Sequence, residues 1–78
     1  MTVNAYILIQ AEVGSAADVA TAVRQIDEIE SAEVAMGPYD VIARAAASDM
    51  DRLGGIVVNA VGNLSGVERT LLCPIVNL

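Results

Sequence analysis

The chain has no histidine, lysine, tryptophan or phenylalanine, and a single cysteine, Cys73. Without histidine, the usual base of catalytic triads and dyads is missing. One cysteine closes no disulfide within the chain, and without histidine it assembles no Cys/His metal site in one copy. Cys73 reads as a small buried hydrophobe. Without lysine, four arginines stand against ten carboxylates, for a net charge of −6. Nucleic-acid binders gain affinity by neutralising phosphates, so this chain repels a duplex, and an anionic membrane surface for the same reason. No run approaches the roughly 18 apolar residues that span a bilayer. The start opens on a strand pattern with no basic n-region and no apolar h-region, so no signal peptide is expected and the protein is expected to be soluble and cytoplasmic.

What is present is apolar. Of 78 residues, 55% are hydrophobic and 18% charged. A chain this short holds one domain, residues 1–78, and small domains bury a modest share of their surface. The excess apolar surface must be covered, and a second copy of the chain is the simplest cover. A homo-oligomer is therefore expected before any motif is considered.

Residues 2–13 alternate with period two, placing Val3, Ala5, Ile7, Ile9, Ala11 and Val13 on one face of a long strand. Gly14 breaks it. Ser15 with Asp18 is a variant capping box for a helix ending near Asp27 or Glu28, with Ala16, Val19, Ala20, Val23 and Ile26 inward. Residues 29–32 turn the chain back, and residues 33–36 and 41–47 form two strands. Ser48 with Asp51 opens a second helix to about Asn63, with Met50, Leu53, Val57, Ala60, Val61 and Leu64 inward. Ile56 falls on its outer row, either as a partner contact or as an ordinary exposed side chain. Gly54-Gly55 weakens this helix by roughly 1 kcal/mol per glycine; lying mid-helix, the pair does not match a dinucleotide-binding loop. Residues 67–76 form a last strand, and Pro74 predicts an edge position because it lacks a ladder donor.

The order β-α-β-β-α-β, with a weak internal repeat between residues 26–33 and 61–68, predicts an α+β ferredoxin-like βαββαβ sandwich. Two helices cover one face of a four-stranded antiparallel sheet. The other face would carry Tyr6, Leu8, Gln10, Glu33, Ala35, Ile42, Arg44, Thr70 and Leu72, too apolar to stay bare. Two sheets packed face to face, as a dimeric α/β barrel with Tyr6, Leu8, Ile42, Arg44 and Leu72 at the interface, solve this. Arg44 is expected to pair with Glu33.

Chemistry is sparse. Asp49/Asp51 and Asp27/Glu28 read as charges at helix ends, and neither an enzyme nor a cofactor or metal site is expected. Gly37-Pro38-Tyr39-Asp40, between two strands, reads as a hairpin turn. Asp40 either caps turn amides or accepts a ligand's ammonium group, with neighbouring amides open to a carboxylate. Thr70 can add a hydroxyl or serve as an ordinary strand threonine. Tyr39 either closes a cleft or packs across an interface.

Three segments, Ala5-Tyr6-Ile7-Leu8-Ile9, Gly37-Pro38-Tyr39-Asp40 and Gly66-Val67-Glu68-Arg69-Thr70, carry a resemblance to a known family. The chain resembles the ligand-sensing (RAM) domain of the Lrp/AsnC transcriptional regulators, without their DNA-binding helix-turn-helix. That likeness implies dimers through the sheet, assembly into tetramers, octamers or rings, and amino-acid effectors at clefts between dimers. It carries ligand binding to Gly37, Pro38, Tyr39, Asp40 and Thr70. Leu72 stands where the family often has a second hydroxyl, which implies a drier cleft. The resulting expectation is an effector-sensing module that acts through protein partners, full-length regulators of the family among them. Alternatives are a structural scaffold that binds nothing, a small dimeric α+β-barrel enzyme of monooxygenase type, and an ACT-type domain, which would pair its sheets side by side.

Overall fold

The computed structural model describes residues 2–78. Its elements are β1 (Val3–Ala11), α1 (Ala16–Arg24), β2 (Ile29–Val34), β3 (Val41–Ala47), α2 (Met50–Gly55) continuing into a π-helical stretch (Ile56–Val61), and β4 (Val67–Pro74). The strands form one antiparallel sheet in the order β2-β3-β1-β4, with both helices packed over one face. This is the expected ferredoxin-like arrangement, and β4 is an edge strand as Pro74 requires.

The core lies between sheet and helices. Ala5, Ile7 and Ile9 of β1 and Val41, Ala43, Ala45 and Ala47 of β3 meet Val19, Ala20 and Val23 of α1 and Leu53, Ile56, Val57 and Val61 of the second helix. Alanine is a poor strand former. The alanines along β3 nevertheless fit here, because a small side chain lets the helices approach the middle of the sheet. Val13, expected to continue the inner face of β1, is fully exposed beyond the end of the strand.

Four local expectations are corrected. First, β2 begins at Ile29, inside the stretch read as a turn, because a bulge inserts Glu30 between Ile29, opposite Ala45, and Ser31, opposite Arg44. The bulge lets Ile29 and Ala32 both face inward although they are three residues apart. It also sets Glu30, rather than Glu33, beside Arg44: Arg44 Nε donates to Glu30 Oε1 at 3.1 Å.

Second, α1 stops at Arg24, where the Arg24 Nε–H donates to the Ala32 carbonyl at 2.9 Å and ties the helix end to β2. Third, the cap of α2 is Asp49, whose carboxylate accepts the Arg52 amide at 2.8 Å, and not Ser48. Fourth, Ile56 is buried. It lies three residues after Leu53, on the same helical stripe, and Gly62 N–H then bonds back five residues to Val57, the wide turn of a π-helix. Met50, expected on that stripe, is exposed at the start of α2.

The last strand has the opposite parity to the one expected. Ile7 pairs with Leu72 and Ile9 with Thr70, so Leu72 and Thr70 lie on the helix side, and Leu72 packs against the core. Leu8 pairs with Leu71 and Tyr6 with Cys73 on the open side. Leu72 is therefore not an open-face residue, and Leu71 takes that place. A register shift between Gln10 and Ala11 leaves Glu68 unpaired and lets Val67 also turn towards the core. Cys73 is half-buried on the open face, not in the core.

Candidate functional site

The open face is built in rows across β3, β1 and β4. Ile42, Leu8 and Leu71 form one row, and Arg44, Tyr6 and Cys73 form the next. Tyr6 is 43% exposed, Ile42 37% and Leu71 42%. Arg44 lies over the Tyr6 ring, 5.5 Å from its centroid, and Arg44 Nη1 donates to Tyr6 Oη at 3.1 Å. The second row is thus held by a cation–aromatic contact and the ion pair to Glu30, and the first row is purely apolar.

At one end of this face sits the turn of residues 37–40. Gly37 has φ +125°, which L side chains rarely adopt, so the sharp reversal before Pro38 needs a glycine. Three hydrogen bonds then fix the turn. The Ala35 amide donates to the Asp40 carbonyl at 2.8 Å, the Asp40 amide donates to the Ile9 carbonyl at 2.9 Å, and the Ala11 amide donates to Asp40 Oδ2 at 2.8 Å. Gln10 Nε2 adds a fourth, to the Pro38 carbonyl, at 3.1 Å. Asp40 therefore caps a strand amide 29 residues away rather than an amide of its own turn.

Two features remain open. Asp40 Oδ1 has no hydrogen bond among the described residues, and neither do the amides of Met36, Gly37 and Tyr39. One turn thus supplies both an unpaired carboxylate oxygen, an acceptor for a cation, and three unpaired N–H groups, donors for an anion. Gly37 and Pro38 are exposed, and Tyr39 and Asp40 are half-buried, so the arrangement is open on one side in a single protomer.

Thr70 flanks the same residue of β1 as the turn does. Ile9 pairs with Val41 of β3 on one side and with Thr70 of β4 on the other. The Thr70 side chain faces the helix layer and is half-buried. The sequence-expected set thus gathers at one end of the sheet, with Thr70 on the opposite face from the Gln10 row. Sequence reasoning missed Gln10 and Ala11 as the anchors of the turn, and Arg69, which pairs with Gln10 on the open face. Only strand register reveals them.

A groove of about 350 Å³ lies elsewhere, between the end of α1 and the second helix, over Ile26, Ile56 and Ala60. Its charged rim, Glu28 and Arg52, forms an ion pair and so satisfies itself. Among the described residues, no three His, Cys, Asp or Glu side chains group as a metal site would need, and no helix is long and apolar enough to cross a membrane.

Comparison with known proteins agrees with this architecture. The fold is similar to a protein from Thermus thermophilus, with a TM-score of 0.91, 24% identity, and coverage of 97% of this chain and 95% of that one. It is also similar to AsnC of E. coli, with a TM-score of 0.89, 16% identity, and coverage of 97% of this chain and 52% of AsnC. A transcriptional regulator from Neisseria meningitidis, solved as a complex with L-Met, matches with a TM-score of 0.85 and 21% identity over 96% of this chain and 50% of that one. The chain thus spans about half the length of these two regulators. Among curated proteins, no sequence matches it. The model of the Lrp/AsnC ligand binding domain matches residues 4–76, nearly the whole chain. By that match the chain belongs to the Lrp/AsnC ligand-binding-domain family, whose members are regulatory and sense effectors.

Proposed function

We propose that the protein binds an amino acid or a closely related zwitterionic metabolite at the turn of residues 37–40, in a cleft completed by a second copy of the chain. One observation carries this reading: Asp40 is held rigidly through one carboxylate oxygen while the other oxygen and three adjacent amides remain unpaired. A free amino acid offers an ammonium for the carboxylate oxygen and a carboxylate for the amides. The open sheet face supports assembly, because the row of Ile42, Leu8 and Leu71 gains most by packing against its own copy. Occupancy of a cleft between copies would then change the assembly, and through it the partner regulators of the same family. The regulator from Neisseria meningitidis in complex with L-Met is a precedent in fold and ligand class.

Native mass spectrometry of the protein with and without a pool of the twenty amino acids tests this. The expected result is a multiple of the dimer that gains small-molecule mass or changes size with the pool. Asp40→Asn should keep the bond to Ala11 yet weaken binding about tenfold or more, since a hydrogen bond to a charged group contributes roughly 1.5–3 kcal/mol. An assembly indifferent to every amino acid would favour a scaffold role, in which Asp40 serves only to hold the turn.

A further inference from the structure

Arginine supplies all the positive side-chain charge of this protein, and the four copies are not used alike. Arg24 donates to the Ala32 carbonyl, Arg44 to Glu30 and Tyr6, and Arg52 to Glu28. Among the described residues, Arg69 alone has neither a hydrogen bond nor an ion pair. An unpaired surface arginine means little by itself. Its place gives it meaning.

Arg69 is exposed on the open side of β4 and directly opposite Gln10 of β1, whose amide group reaches on to the Pro38 carbonyl of the turn. Arg69, Gln10 and the turn thus follow one another across the end of the sheet. Adjacent strands lie about 4.8 Å apart, so the β4 and β3 backbones there are separated by about 10 Å. Arg69 and Asp40 thus lie on opposite sides of Gln10, a separation that a small molecule lying over the Gln10 side chain would bridge. The register shift after Gln10 leaves Glu68 outside the ladder, Val67 instead pairs with Ala11, and among the described residues Glu68 forms no ion pair with Arg69.

Charge decides what such a gap accepts. Asp40 alone would favour a cation and repel the carboxylate of an amino acid. With Arg69 this end of the sheet carries one fixed charge of each sign and matches a zwitterion. The guanidinium fork can take both oxygens of a carboxylate at once, which an amide of the turn cannot.

We propose that Arg69 is the residue that receives the effector's carboxylate, opposite Asp40, which takes its ammonium group. This rests on the effector-binding reading above and narrows it: the effector is a compound with a free α-carboxylate, and esters or carboxamides of it are excluded. Gln10 is the positioning residue between them, because its hydrogen bond to Pro38 sets the distance between turn and strand.

The test compares the full chain with Arg69→Gln and Arg69→Lys in calorimetric titrations, first with the twenty amino acids and then with the carboxamide of the tightest binder. The unsubstituted chain should prefer the free acid over its carboxamide by at least about tenfold, the scale set by one charge-assisted contact. Arg69→Gln should lose that preference while unfolding at the same urea concentration, and Arg69→Lys should restore part of it. If Arg69→Gln discriminates acid from carboxamide as well as the unsubstituted chain does, the carboxylate is held by the turn amides. The role of Arg69 is then overturned and the effector reading stands. If the unsubstituted chain takes up none of the twenty, both fall together.

Discussion

At the scale of single residues, mutation can separate the hold that Asp40 has on the fold from the binding role proposed for it. One carboxylate oxygen accepts from the Ala11 amide at the end of β1, and the other has no hydrogen bond among the described residues. Removing the acceptor leaves a part-buried amide unpaired, which costs about 1–2 kcal/mol. Asp40→Ala should therefore lower the unfolding free energy by that amount in urea titration. Asp40→Asn, which keeps an amide oxygen for Ala11, should lose less than half as much. A ligand-binding defect in the alanine variant alone would report a displaced turn. Gly66 makes a similar point for the backbone. Its φ is +89°, and a Cβ there would stand 2.9 Å from Ser15 Cβ and 3.2 Å from Val19 Cγ2. Strain and overlap add, so Gly66→Ala should destabilise by roughly 2 kcal/mol or more, read as a drop in thermal midpoint. Ser15 Oγ caps no helix amide, and its hydroxyl instead lies 3.2 Å from the position of that absent Cβ.

At the scale of elements, the second helix carries avoidable weakness. A Cβ built on Gly54 meets nothing within 4 Å, and its backbone is helical. No packing among the described residues requires a glycine there, so Gly54→Ala should raise stability by about 0.5–1 kcal/mol in chemical denaturation. If the variant instead loses stability or changes oligomer mass, Gly54 is in contact with another chain. The elements also show what was legible in the sequence. The strict alternation of β1 and the inward alanines of β3 were readable, because each has one face that is apolar throughout. The start of β2 was not, since a bulge at Glu30 breaks the period that identifies a strand. The parity of β4 was not readable either: Leu71 and Leu72 are adjacent, so alternation fits both faces equally, and only pairing with Ile7 and Leu8 decides. The turn of residues 37–40 stood out by composition. Its anchor at Ala11 and the place of Arg69 opposite Gln10 did not, because each depends on a register set by residues far away in sequence.

At the scale of the whole molecule, the two faces of β4 make opposite demands. Leu71 and Ile42 flank Leu8 on the open face, and Leu72 packs against the core under the helices. If a second copy covers the open face, a charge placed there has to be desolvated on assembly but stays in water in the monomer. A specific dimer of standard size buries about 800 Å² per partner, and an unpaired carboxylate near its centre costs several kcal/mol. The double variant Ile42→Asp/Leu71→Asp should therefore keep its secondary structure by circular dichroism and run as a monomer in size-exclusion chromatography with light scattering. Leu72→Asp should behave differently, because its carboxylate enters the core of each protomer: the fold itself should be lost, with a collapsed circular dichroism signal. A double variant that keeps the oligomer mass of the unsubstituted chain would show that the assembly uses another surface, and the row of Ile42, Leu8 and Leu71 would need a different partner. Loss of mass without loss of helix ties the sheet parity to the quaternary structure, and it leaves Arg69 and Asp40 in a lone protomer, where the proposed binding can be titrated without a second copy.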